Sequence, residues 1–404
     1  MFFTLAFRNV LRQRGRTATT LIAIVSGVVG LVLAAGFVRD IYIQLGEAII
    51  HSQTGHIQIF KEGFLERGTR QPHKFIMDDP RGLSEAVSQI AGVKSASSRL
   101  SFAGMLGNGR RDLAIVGEGI EPDKEGVLGG YFKIVEGRSL GPNDQFAALI
   151  GQGVAHSLGL KPGDSASILA STADGALNSL ELEIVGVFQS FSKEFDARAV
   201  RIPLPVAQEL MATPGANVMV VTLFDTDQTD AVQSRINALP ATEQLDVRHW
   251  QSLSDFYEKT VRLYEEQLGV LQWIILLMVL LSVTNSVNMS AFERQSEFGT
   301  MRALGNRPAV IGKLLINESV ILGFFGASAG VILGVLAAVI ISYIGIEMPP
   351  PPNANVGYSA MIRLDANSIA TAWLVGFIAT LAASLIPAFR SARRSIVESL
   401  GHKI

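Results

Sequence analysis

The sequence predicts a membrane α-helical protein: four transmembrane helices, with a large α+β extracytoplasmic domain between helices one and two. Three observations carry this reading. Four segments of about 20 or more residues hold no charge, enough to cross a hydrocarbon core of roughly 30 Å at 1.5 Å per residue. About 225 residues of ordinary mixed composition separate the first segment from the second. Arg and Lys gather beside only some of the segment ends.

Composition agrees. Only 17% of the 404 residues are charged and mean hydropathy is +0.33, against roughly 25% charge in ordinary soluble chains. The deficit is confined to the four segments. A net charge of −2 gives no reason to expect nucleic acid. There is no cysteine, which excludes disulfides and thiolate chemistry.

The elements follow in order. Residues 1–16 form an amphipathic segment carrying Arg8, Arg12, Arg14 and Arg16. The first span is TATTLIAIVSGVVGLVLAAGFV, 17–38. A signal peptide would share the basic start, but its apolar region is usually 7–15 residues, so the segment is read as an uncleaved anchor. Residues 39–267 form the extracytoplasmic domain with a stalk. Within it, GHIQIF alternates like a strand. PRGLSEAVSQIAGV has a helix start, apolar Leu83, Val87 and Ile90, and Gly92 as a stop. Asn108-Gly109 between two apolar runs predicts a hairpin. FAALIGQGVAHSLGLKPGDSASILA reads strand, short helix, turn, strand. LELEIVGVFQS and NVMVVTLFD read as strands, PLPVAQELM and Thr229 to Leu239 as helices. This is an α+β pattern. Asp255 to Gln267 reads as a helix running directly into the second span, 268–289.

Residues 290–318 form a charged segment between spans two and three, expected to be a helix. The third span is 319–346, a proline-rich loop occupies 347–367, the fourth span is 368–389, and 390–404 is a tail. Four Arg precede span one; Arg294, Arg302, Arg307 and Lys313 lie between spans two and three; Arg390, Arg393, Arg394 and Lys403 follow span four; the proline-rich loop has only Arg363. Both termini and the charged segment are therefore expected in the cytoplasm, with the large domain on the far side of an inner membrane.

No catalytic constellation emerges. The six His are scattered, there is no HExxH, and no metal site is expected. Val116-Gly117-Glu118-Gly119 lacks the following helix of a dinucleotide site. GASAG (Gly326 to Gly330) matches a nucleophile-elbow pattern, but Ser328 sits mid-span with no His or Asp near it in the span. Gly326, Gly330 and Gly334 instead repeat every four residues, the spacing that lets helix backbones approach. GNRPAVIGK (Gly305 to Lys313) has six residues between its glycines rather than four, with Leu314 where a magnesium-binding Ser or Thr would stand, so it is no phosphate loop.

The segment ERQSEFGTMRALGNRP (Glu293 to Pro308) places Phe298, Met301 and Leu304 or Gly305 on one side of a helix. It could lie in the lipid interface with its Arg at the headgroups, or be a knob for a cytoplasmic partner. Gly299 and Gly305, costly in a plain surface helix, lean slightly to the second. From the residues alone the two stay balanced.

ERQSEFGTMRALGNRPAVIGKLLINESVILGFFGASAGVILG resembles the signature of FtsX-like ABC transporter permeases (type VII), in which an E-[FIL]-G-x-[ML]-[RK]-A-[LI]-G core leads into a Glu-initiated third span. SLIPAFRSARRSIVESL is similar to the family's last span and basic tail, and RNVLRQRGRTATTLIAIVSGV to its first span. YFKIVEGRSL, AALIGQGVAHSLGLKPGDSASI and VRIPLPVAQELM resemble the periplasmic core domain of MacB- and LolC/LolE-type permeases, and HSQTGHIQIF looks nearest the lipoprotein-release branch.

The resemblance implies a non-catalytic permease subunit, paired with an identical or homologous permease. Two copies of a separate ATPase subunit would bind ATP and magnesium, leaving no cofactor on this chain. Glu293, Glu297, Phe298, Gly299, Met301, Arg302, Leu304 and Gly305 would form the coupling helix seated in the ATPase. Its motion would pass through spans and stalks to the periplasmic domain, which would extract lipid or lipoprotein cargo. Gly27 and Gly30 would allow spans one and two to approach at the permease–permease interface, with Gly326, Gly330 and Gly334 packing helices. The alternatives are an FtsX-type regulator of an envelope hydrolase, whose extracytoplasmic loop is usually much shorter, and a membrane-anchored sensor without an ATPase.

Overall fold

The computed structural model describes residues 2–12, 14–68, 72–77, 79–125, 132–172, 174–349 and 357–393. Most of the proline run and the tail beyond Arg393 lie outside these residues. The chain divides into two compact units: Met1–Tyr42, Thr260–Glu347 and Ser359–Ile404 in one, Ile43–Lys259 and Met348–Tyr358 in the other.

The first unit is a helical bundle. Four helices are long and apolar enough to cross a membrane, as the sequence predicts. The first long helix is Arg14–Ile49, the second Asp255–Glu293, the third Pro308–Ile344 and the fourth Ala366–Arg393. The first and second extend far beyond their apolar stretches, and the boundary between units falls inside each of them. An amphipathic helix, Phe2–Arg12, precedes them, where the sequence places one.

Small residues set the packing. Ile24, Val28 and Val32 of the first helix lie against Gly326, Gly330 and Gly334 of the third, one residue per turn. Any Cβ at these glycines would press into the facing side chain, so the four-residue repeat is a packing seam. Ser328 accepts a hydrogen bond from the Trp373 indole (3.2 Å). Gly27 and Gly30 face Ile275 and Val279 of the second helix within the same chain. The close approach expected of them is therefore used inside one subunit. The expectation of contact with a second copy rested on their size alone, which cannot name the neighbour.

At the end of the first helix distant from Phe2–Arg12, Asp40 is fully buried. It accepts hydrogen bonds from the Met361 backbone and from Arg363, each at 2.9 Å. Arg39 pairs with Asp365 (3.0 Å). These contacts strap residues 361–365 to the first helix.

The second unit is α+β. Its strands are β1 Ile57–Lys61, β2 Val93–Gly107, β3 Asp112–Ile120, β4 Lys133–Gly137, β5 Ala147–Gly151, β6 Ser165–Ser171, β7 Leu177–Gln189, β8 Ala199–Pro203, β9 Val218–Leu223 and β10 Leu245–His249. They run in the order β10-β1-β9-β2-β3-β8-β5-β7-β4. β6 pairs with both β2 and β7, which closes β2, β3, β8, β5, β7 and β6 into a ring. The ring has its own core around Leu106, Ile150, Ile168, Leu182 and Ile202. The long β2 leaves it to join β9, β1 and β10, whose sheet is covered by the helices Pro80–Ser88 and Thr229–Asn237.

The turn chemistry explains the local success of the sequence reading. Asp79 caps its helix by accepting the Gly82 N–H (2.9 Å). The Asn108 side chain accepts N–H groups of Arg110 and Arg111, and Gly109 takes φ +78° between β2 and β3.

The packing seam makes a specific prediction. Gly330→Leu would drive a side chain into Val28 and should destabilise the chain by about 1–3 kcal/mol. Gly269→Ala, where no atom lies within 4 Å, should stabilise it by about 0.5–1 kcal/mol. Thermal unfolding of the two purified variants in detergent checks both.

Candidate functional site

The segment between the second and third long helices is shorter and more tightly held than the sequence suggests. The second helix runs to Glu293, Arg294 breaks it, and a nine-residue helix spans Gln295–Ala303. Leu304 ends that helix, and Gly305 reverses the chain at φ +92°, a conformation favouring glycine. Pro308 then opens the third helix, where its missing N–H matters least. The expected helix over 290–318 is thus three elements, with 308–318 already part of the third long helix.

Arg294 is the centre of the segment. Its guanidinium is buried and donates to Glu318 of the third helix (2.7 Å) and to Glu297 (3.0 Å). Its carbon lies 5.1 Å from the Phe298 ring centroid. Asn9 of the N-terminal helix donates to the same Glu318 oxygen (2.8 Å). Arg16 forms an ion pair with Glu293. Below this polar layer, Phe298 packs with Ala6, Ala291, Ile311, Leu314 and Leu315.

The expected contact residues therefore divide. Phe298, only 4% exposed, and Gly299 are buried. Met301 and Arg302 are half-buried. Glu293, Glu297, Leu304 and Gly305 are exposed, Leu304 to 79%. Phe298 and Leu304 share helical spacing but not a face, because Leu304 is the cap and the chain turns away there. Ser296, Thr300, Asn306 and Arg307 complete the exposed surface.

A second polar hub lies within the α+β unit and was not foreseen. Helix Arg14–Ile49 continues as one π-helical turn, Ile50–Thr54. Two buried arginines hold its carbonyls: Arg99 donates to Gln53 O (2.8 Å) and Arg201 to Ser52 O (3.1 Å). Arg99 also makes a two-pronged pair with Glu125 (2.8 and 3.0 Å) and reaches Glu118 (3.1 Å). Arg201 bonds Glu118 (2.9 Å) and lies over Phe132, 4.6 Å from its centroid. Burial alone would push the Glu118 carboxyl up, but the two guanidiniums outweigh it and hold it below the usual range.

Nearby, His56 accepts the Leu223 N–H at Nδ1 (3.2 Å), so Nε2 carries the proton and donates to Thr226 (3.1 Å). Thr226 in turn donates to Glu47 (2.7 Å). Burial, reinforced by neighbouring His51, lowers His56 to about 4, so it is neutral at pH 7.

Neither hub presents a substrate pocket, and among the described residues no group of three or more His, Cys, Asp or Glu is placed to hold a metal ion. Residues 17–239 match the MacB-like periplasmic core domain and residues 269–396 the FtsX-like permease C-terminal domain. The chain belongs to the MacB/FtsX-like family of ABC transporter permeases. It is 25% identical over 85% of its length to an uncharacterized ABC transporter permease of Methanocaldococcus jannaschii, covering 85% of that protein. It is 24% identical over 79% of its length to the lipoprotein-releasing system transmembrane protein LolC of Neisseria meningitidis, covering 76% of it. It is 26% identical over 86% of its length to the macrolide export ATP-binding/permease protein MacB of Hyphomonas neptunium, of which it covers 54%. Permeases of this family work with an ATPase and often with a second permease. The protein is a multi-pass membrane protein with a large domain of the periplasmic core type.

The hubs predict acid sensitivity. His56 binds its proton at about pH 4 folded and near 6.5 unfolded. The unfolded chain takes up more protons between these values, so stability falls as pH drops through that window. Glu118, depressed when folded, adds a further loss below the ordinary carboxylate range. The melting temperature of the full chain should fall from pH 7 to pH 4, and His56→Asn should flatten the upper part of that curve.

Proposed function

We propose that the chain is the force-transmitting permease of an ABC complex that extracts or exports lipophilic cargo, lipoproteins being the kind that fits best. The single observation that carries this is the short helix Gln295–Ala303. The exposed residues at its end, Leu304, Gly305 and Arg307, are open to a partner, while Arg294 and Phe298 tie its other side into the bundle. A lipid-interface helix would turn its apolar face outward; here that face is buried inward and the outlier is Leu304.

In this reading both termini and the short helix face the cytoplasm, as the Arg and Lys distribution supports. The partner is a separate ATPase, in two copies, which binds ATP and magnesium. Closing of the ATPases pushes the short helix. Because Arg294 joins it to the third helix, the bundle moves with it. The first and second helices continue without a break into the α+β unit, and so provide the stalks. In the α+β unit, Arg99 and Arg201 grip the end of the first helix, so its displacement reaches the β-ring.

A second permease, identical or homologous, pairs along the second helix. That helix leaves Trp273, Ile274, Leu277, Met278 and Leu281 exposed, each more than half uncovered. Cargo is lipophilic in this reading because the four apolar segments carry no charged residue, and Asp40 and Glu318, buried near their ends, are both engaged by partners.

The test is co-purification from the native membrane. Leu304→Asp and Arg307→Glu, on the exposed rim, should lose the ATPase while leaving the melting temperature unchanged. Phe298→Ala should instead destabilise the chain by about 3–5 kcal/mol. Retention of the ATPase by both rim variants, or absence of any ATPase from the parent, contradicts the proposal; the latter result would favour a sensor.

A further inference from the structure

A groove outside the short helix has no part in the mechanism above. It lies between the start of the third long helix and the end of the fourth and encloses about 660 Å³, within the range of small-molecule sites. Ile316, Leu385, Ile386 and Phe389 line it. Gly312 forms part of its wall, where an added Cβ would rest in ordinary contact with Ala392 at 3.8 Å. Lys313, Arg390 and Arg393 stand at its rim.

Among the described residues, none of the three pairs with a carboxylate, and Arg393 lies over the Phe389 ring at 4.0 Å. Their depth is informative. The uncharged stretch of the fourth helix ends at Phe389, immediately before Arg390. From Leu385 to Arg390 is about 7.5 Å along a helix. Apolar wall and cationic rim therefore straddle the acyl–headgroup boundary of a bilayer.

An apolar groove alone would take any acyl chain, and a basic rim alone any anion. The two at this spacing select an amphiphile with an anionic head. We propose that this groove binds one anionic phospholipid, its phosphate among Lys313, Arg390 and Arg393 and an acyl chain along Ile316, Leu385, Ile386 and Phe389. A protein partner would have to bring acidic groups to the membrane interface beside the apolar wall, whereas a lipid presents its phosphate there already. The site does not depend on which partner drives the chain.

The experiment is native mass spectrometry of the purified full chain in detergent, titrated with phosphatidylglycerol or phosphatidylcholine. The parent should retain phosphatidylglycerol in preference. Each neutralised cation should weaken binding about five-fold, so Lys313→Gln, Arg390→Gln and Arg393→Gln together should cost about a hundred-fold. Gly312→Leu keeps all three charges, starts in ordinary contact with Ala392, extends into the groove and should also lose the lipid while the chain stays folded. Inorganic phosphate at the same concentration should not displace it. Equal retention of both lipids, full binding by Gly312→Leu, or displacement by phosphate would each overturn the proposal. The Gly312→Leu arm decides the matter even where the triple variant fails to fold.

Discussion

The buried pair between Arg294 and Glu318 is the constraint on which the membrane unit depends. A guanidinium and a carboxylate removed from water carry a desolvation penalty of several kcal/mol each, and only close pairing with further hydrogen bonds offsets it. Here the offset comes from three directions: Glu318, Glu297 and the Phe298 ring around Arg294, with Asn9 supporting Glu318. Four elements meet at one charge pair. A short helix of nine residues would be marginal alone; anchored this way, it moves as part of the bundle.

The α+β unit applies the same device to a different end. A π-turn leaves the last carbonyls of the first long helix pointing away from regular helical partners. Arg99 and Arg201 occupy those carbonyls and in turn share Glu118, which joins β2, β3 and β8 to the helix end. Losing Arg99 would strand the buried Glu125, losing Arg201 would leave Glu118 with Arg99 alone, and either loss would free a carbonyl of the turn. Arginine suits this role better than lysine, because one planar fork can serve a carbonyl and a carboxylate at once.

Much of the architecture was legible in the residues. The four spans stand out by length and lack of charge, and the strands by alternation and turn residues such as Asn108-Gly109. The glycines of the GASAG run lie against Ile24 and Val28 of the first helix. What escaped was pairing at a distance. Nothing local in SSRLSF marks Arg99 as buried, since Glu118 and Arg201 lie 19 and 102 positions away in the chain. Glu318 was visible as a charge at the start of a span, but not its partner. The helix periodicity grouped Phe298 with Leu304, and only the cap at Leu304 and the turn at Gly305 separate them. Gly27 and Gly30 were legible as close-approach sites, while the identity of the facing helix was not.

The most direct test of the account is a double-mutant cycle on Arg294→Met and Glu318→Leu, read by unfolding of the full chain. If the pair is the keystone, each single change costs about 3–5 kcal/mol because it leaves a charge buried alone. The double variant should then be more stable than the sum of the singles implies, with a coupling of about 1–3 kcal/mol. Two independent, additive losses would show that the short helix is held by its apolar contacts, and the charge pair would lose its place at the centre of the mechanism.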